Sequence, residues 1–102
     1  MYSVMIIDDD IMIRERLKNI IDWESLSLKL VAEAGDSDTA MELYLLHRPK
    51  IVISDILIPV VSGLELAETM RAEDPDLQFI IITGYNDFEW AKQSVRLGAI
   101  DL

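Results

Sequence analysis

Short apolar runs recur along the sequence, and amphipathic segments of helical length separate them. The clearest runs cover residues 4–7, 51–53 and 77–82. Runs that are apolar at nearly every position are typical of strands buried on both faces of a parallel sheet. Pro59 cannot continue a central strand, so the chain must turn soon after Asp55. The sequence therefore predicts that Asp55 lies at the C-terminal end of a buried strand.

The predicted elements alternate between strand and helix. Strands are predicted at residues 2–7, 28–34, 51–55 and 77–82, and a fifth begins at residue 100 and is cut short at Leu102. Helices are predicted to begin near Asp10, Asp36, Gly63 and Asn86, each with apolar residues at helical spacing. The first is predicted to run to Asp22. This alternation predicts an α/β fold with a doubly wound, flavodoxin-like parallel sheet in strand order 2-1-3-4-5 and helices on both faces.

Size and charge exclude several classes of protein. The chain has 102 residues, which suits one domain, and a net charge of −10 from nineteen acids and nine bases. Scattered bases argue against direct nucleic-acid binding, which needs clustered Lys and Arg. There is no cysteine, no apolar run of membrane-spanning length and no signal-peptide pattern. We expect a single domain over residues 1–102, in the cytoplasm and with no membrane contact.

Polar side chains follow three of the predicted strands. Asp8 and Asp9 follow the first strand, Asp55 ends the third, and Thr83 follows the fourth. In a flavodoxin-like order these strands are neighbours, so the four side chains should converge at one edge of the sheet. Converging carboxylates repel one another, and Mg²⁺, which prefers oxygen ligands, removes that conflict. The pattern predicts that Asp55 accepts a phosphoryl group beside Mg²⁺ and that Thr83 donates to a phosphate oxygen.

Each of these residues taken alone also has a structural interpretation. An acid just after a strand is often a helix N-cap, and for Asp10 we expect that role. Asp8 or Asp9 alone would be interpreted in the same way. Thr83 alone would be an ordinary strand-end residue, and Asp55 alone could be a loop acid. The ordered combination on neighbouring strands is what indicates a site.

The chain resembles the receiver domains of bacterial two-component response regulators. The resemblance spans all 102 residues, and parts of it are similar to receivers attached to AraC-type DNA-binding regions. The matching segments are residues 4–10, 51–59, 63–66, 80–84 and 97–101, with residues 21–24 and 84–91 carrying the AraC-type likeness.

The resemblance implies a role for each matching residue. Asp55 would be the phospho-acceptor, Asp8 and Asp9 the acidic pair that serves Mg²⁺, and the backbone carbonyl of Leu57 a further metal ligand. Thr83 would be the switch hydroxyl. The implied partners are a sensor histidine kinase, a C-terminal DNA-binding output region in the parent protein and, in some receivers, a second copy of the chain. Such a domain is not an enzyme beyond its own phosphorylation and dephosphorylation.

The sequence also departs from the family pattern. The phosphate-binding lysine of the family would lie just past Leu102, so we expect a receiver that is C-terminally incomplete. One alternative is therefore an interaction or dimerisation module that works without phosphorylation. An enzyme on this fold is a third hypothesis. A flavin carrier would need a Ser/Thr/Gly-rich loop after the first strand, where this chain has Asp8, Asp9 and Asp10. A haloacid-dehalogenase-like phosphatase would need a D-x-D-x-T/V motif, but Ile11 and Met12 follow the acids.

Overall fold

A computed structural model of the chain describes residues 1–56, 58 and 60–82. In this part, four strands and three helices alternate as the sequence predicts. They are β1 (Tyr2–Ile7), α1 (Ile11–Ile20), β2 (Leu28–Ala34), α2 (Ser37–His47), β3 (Ile51–Asp55), α3 (Gly63–Glu73) and β4 (Gln78–Ile82). The predicted fourth helix and fifth strand lie outside the described residues.

All described strand pairs are parallel, in the order β2-β1-β3-β4. This confirms the predicted flavodoxin-like α/β fold. β1 lies between β2 and β3, and its last residue, Ile7, pairs with Ser54. Asp8 and Asp55 each follow one of these paired residues, so the sheet register brings them to the same edge.

Nearly all residues of the central strands are apolar, and alternate residues of a strand point to opposite sides, so both faces of the sheet are apolar. One face packs against α2 and α3 in a core that includes Met5, Val52 and Phe79, all fully buried. The other face carries Val4, Ile6 and Ile53. Leu17 of α1 packs against them, as do Ile21 and Trp23, which follow the helix. The fold is therefore layered, with α1 on one face and α2 and α3 on the other.

Each described helix begins at an N-cap side chain that accepts a backbone N–H from its first turn. Asp10 caps α1, as predicted, Asp36 caps α2, and Ser62 caps α3. A membrane-spanning helix is not among the helices that the structure describes.

The first helix is shorter than predicted. It ends at Ile20 and not at Asp22, because Ile21 is in an extended conformation. The indole Nε1 of Trp23 donates to the Lys18 carbonyl oxygen at 2.9 Å. This contact satisfies one of the carbonyl groups that the last turn of a helix leaves without a backbone partner.

Candidate functional site

Three carboxylates meet at the C-terminal edge of the sheet. Asp8 and Asp9 directly follow β1, and Asp55 is the last residue of β3. One carboxylate oxygen from each lies within 4.8 Å of the others. Asp8 is buried, Asp55 is half-buried and Asp9 is exposed. The cluster is therefore anchored on one side in the protein and open to solvent on the other.

The backbone around Asp8 is tightly held. Its N–H donates to the Ala34 carbonyl oxygen at 3.0 Å, which extends the pairing of β1 with β2. Its side-chain Oδ1 accepts the N–H of Asp10 at 2.9 Å. Together these bonds fix the direction of the Asp8 carboxylate at the end of the strand.

Burial raises the pKa of Asp8 from 3.8 to about 6, because the carboxylate loses contact with water. The hydrogen bond from Asp10 opposes this effect, while the negative charges of Asp55, Asp9 and Asp10 add to the increase. A divalent cation would neutralise this repulsion, and its preferred ligands are the carboxylate oxygens found here. The described residues of the cluster thus fit Mg²⁺ in both charge and ligand type.

Arg14 supports the site from α1. Its Nη1 donates to the backbone carbonyl oxygen of Asp8 at 2.6 Å, and its Nε donates to Glu33 Oε1 at 3.1 Å. Glu33 also accepts from Lys18 Nζ at 2.7 Å, and first Lys18 and then Arg14 hold the pKa of Glu33 below its ordinary value. Arg14 therefore positions the Asp8 backbone while its own charge is matched by Glu33. Sequence reasoning missed this role, since Arg14 looked like any polar residue between apolar helix positions.

The segment after β3 turns back sharply towards Asp55. The N–H of Gly63 donates to the Ile56 carbonyl oxygen at 2.8 Å, which closes the loop. A Cβ atom added to Gly63 would lie only 2.5 Å from the Asp55 carbonyl oxygen. Glycine is needed here because the start of α3 passes against the backbone of the site.

Contacts with other residues also hold this loop. The hydroxyl of Ser54 donates to the Asp55 carbonyl oxygen at 2.8 Å. The buried hydroxyl of Ser37 accepts the N–H of Val61 at 3.0 Å. Between these points, Val60 adopts a φ of 82°, which is unusual for a β-branched residue.

The structure thus brings together three of the five predicted site residues, namely Asp8, Asp9 and Asp55. Leu57 and Thr83 lie outside the described residues. Ile82, which precedes Thr83, pairs with Asp55 across β3 and β4. The chain consequently leaves β4 beside the acidic cluster.

Comparison with known proteins agrees with this geometry. The family model for the response regulator receiver domain matches residues 4–102. The uncharacterized transcriptional regulatory protein YesN of Bacillus subtilis is 37% identical over 98 residues, which are 96% of this chain and 27% of that protein. The transcriptional regulatory protein HptR of Staphylococcus aureus is 35% identical over 101 residues, which are 99% of this chain and 39% of that protein.

Solved structures show the same relationship. The receiver domain of AraT, a response regulator from Geobacillus stearothermophilus, is 38% identical with a TM-score of 0.93, and the match covers 98% of this chain and 78% of that one. An AraC two-component transcriptional regulator from Clostridium phytofermentans is 30% identical with a TM-score of 0.85, covering 91% and 72%. The chain spans between a quarter and two fifths of the length of curated relatives such as YesN and HptR. With its family model, its fold and the acidic edge of its sheet in agreement, the chain belongs to the response regulator receiver domains.

Proposed function

We propose that residues 1–102 form one receiver domain that takes a phosphoryl group from a sensor histidine kinase onto Asp55 in a Mg²⁺-dependent reaction. The observation that carries the proposal is the meeting of three carboxylate oxygens within 4.8 Å at the end of β1 and β3. Asp55 is the half-buried member of this cluster, so part of the residue is accessible to solvent while β3 holds its backbone.

Each carboxylate has a distinct part in the proposed reaction. Asp8 and Asp9 hold the metal together with Asp55 and the backbone carbonyl of Leu57. When bound, Mg²⁺ supplies positive charge that offsets the negative charge of the phosphoryl oxygens. A carboxylate oxygen of Asp55 attacks the phosphorus of a phosphohistidine. The P–N bond breaks as the new P–O bond forms, and its electron pair returns to the imidazole. Thr83 then donates a hydrogen bond to a phosphoryl oxygen.

The consequence of phosphorylation is proposed from the relatives. YesN and HptR are named as transcriptional regulators, and each is much longer than this chain. We propose that the parent protein has a DNA-binding output region and acts in the cytoplasm. Phosphorylation would shift the population between two packings of the receiver and so change its contacts with that region or with a second copy.

The proposal is tested by intact-mass measurement after incubation with acetyl phosphate and Mg²⁺. We expect one phosphoryl adduct that hydroxylamine removes, as it removes acyl phosphates. The adduct should be absent from Asp55→Asn and from a sample with the metal chelated. Asp10→Asn is the matched control, because Asp10 directly follows Asp8 and Asp9 in the sequence but caps α1. Asparagine caps a helix equally well, so the fold should be unchanged. It should retain the adduct.

The opposite result would favour a different function. If circular dichroism shows folded protein and no adduct forms at any Mg²⁺ concentration, Asp55 is not a phospho-acceptor in this chain. The phosphorylation-independent interaction module would then be the better interpretation.

A further inference from the structure

The loop between β3 and α3 contains one residue in a strained backbone conformation. It begins at Asp55, in the acidic cluster, and ends at Gly63, whose N–H closes it on Ile56. Within it, Val60 has a φ of 82° and an exposed side chain. A β-branched residue with such a φ is strained, and strain of this kind persists only where neighbouring contacts impose it.

One such contact comes from a different strand–helix unit. Ser37, the first residue of α2, is 2% exposed, and its hydroxyl oxygen accepts the N–H of Val61 at 3.0 Å. The backbone of Ser37 is itself fixed, because the preceding residue, Asp36, caps α2 by accepting the Thr39 N–H at 2.7 Å. A buried hydroxyl on a fixed helix start therefore holds the residue next to the strained one.

We propose that Ser37 is a positioning residue for the metal site. The inference rests on the proposed function, in which Asp55 binds Mg²⁺. Asp55 begins the loop, and at the far end the Gly63 N–H donates to the carbonyl oxygen of Ile56, the residue after Asp55, at 2.8 Å. The Ser37–Val61 hydrogen bond holds this far end two residues before Gly63. By this bond Ser37 does not touch the acidic cluster. It acts through the loop, by limiting how far Asp55 moves when no metal is bound.

Removing the hydroxyl should therefore weaken metal binding more than it weakens the fold. In Ser37→Ala the Val61 N–H loses this acceptor, and the loop is free to relax the conformation of Val60. Loss of a partner that orients metal ligands typically lowers metal affinity about 10–100-fold. Because Ser37 acts one contact further away, we expect an increase in the Mg²⁺ dissociation constant of about 3–10-fold. Ser37→Thr keeps the hydroxyl and should restore most of the affinity.

The chain offers a matched control at the opposite end of the sheet. The Ser3 hydroxyl also accepts a backbone N–H, that of Lys50, at 3.1 Å. Ser3→Ala removes the same chemical group far from the acidic cluster, where the Lys50 N–H keeps the Ser3 carbonyl oxygen as an acceptor at 3.0 Å. It should leave the Mg²⁺ dissociation constant unchanged.

The experiment is calorimetric titration of Mg²⁺ into the metal-free chain, for wild type and the three variants, with thermal unfolding of each. Amide hydrogen exchange at Val61 is followed in the same samples. Weaker Mg²⁺ binding and faster Val61 exchange in Ser37→Ala, but not in Ser3→Ala, support the inference. Wild-type binding by Ser37→Ala, whatever its melting temperature, overturns it and leaves the proposed function standing. Absence of Mg²⁺ binding by the wild type overturns both.

Discussion

Replacing Gly63 by alanine should destabilise the chain, although alanine is the better helix former. The new Cβ would lie 2.5 Å from the Asp55 carbonyl oxygen, 3.1 Å from Ile56 Cα and 3.3 Å from the Ile56 carbonyl oxygen. All three are backbone atoms, so no side chain can rotate away, and the start of α3 must move. Overpacking of this kind costs about 1–3 kcal/mol, against at most about 1 kcal/mol gained in helix propensity. The middle of that cost less the gain gives an expected net loss of about 1 kcal/mol in the free energy of unfolding.

Urea unfolding of the metal-free chain measures this loss, and the melting temperature should fall by about 4–8 °C. Gly35→Ala is the matched control. Its added Cβ would meet Arg14 Nη1 at 3.5 Å and the Asp8 carbonyl oxygen at 3.9 Å, which are ordinary contacts. It should leave stability within about 0.5 kcal/mol of wild type or raise it. If Gly63→Ala is as stable as Gly35→Ala, the close approach of α3 to the site does not require glycine.

Three further predictions concern the same region. The pKa of Asp8 is higher in the folded chain than its ordinary value, so folding favours proton uptake. When the pH is lowered from 7.5 to 5, the free energy of unfolding of the metal-free chain, measured with urea, should therefore rise by about 1 kcal/mol. A free energy of unfolding that does not change with pH would contradict this, and Asp8→Asn should abolish the increase. Val60→Gly should raise the free energy of unfolding by about 1 kcal/mol, since glycine adopts a positive φ without strain. A lower free energy of unfolding would show that Val60 is not strained. Arg14→Met should lower the free energy of unfolding by about 1–3 kcal/mol, because the hydrogen bond to the Asp8 carbonyl oxygen is lost. Arg16→Met, on the exposed side of α1, should have little effect. Equal losses in the two variants would show that the hydrogen bond to Asp8 is not the cause of the destabilisation.

The sequence was sufficient to predict the acidic cluster because its geometry follows from local patterns. Apolar runs mark buried strands, and parallel neighbours end at the same edge, which brings Asp8 and Asp55 together. The N-cap Asp10 was also predictable, because capping depends only on neighbouring residues. The roles of Leu57 and Thr83 stay predictions.

The supporting contacts were beyond the reach of sequence patterns. Arg14 reaches the Asp8 carbonyl only because α1 packs beside β2, and Ser37 reaches Val61 only because α2 starts beside the β3–α3 loop. Neither arrangement leaves a periodic signal. The positive φ of Val60 could not be predicted either, because β-branched residues seldom adopt one and nothing in the sequence marks Val60 as an exception.

The central place of β1 has a consequence for how the chain is made. Val4 pairs with Ile51, which the ribosome adds 47 residues later. At about 5–20 residues per second, β1 waits about 2–9 s for β3 to be synthesised. Its last four residues are almost wholly buried in the finished sheet, so during that interval they present an apolar strand with one unpaired side. Until β3 has been synthesised, the nascent chain is therefore open to misassociation along β1.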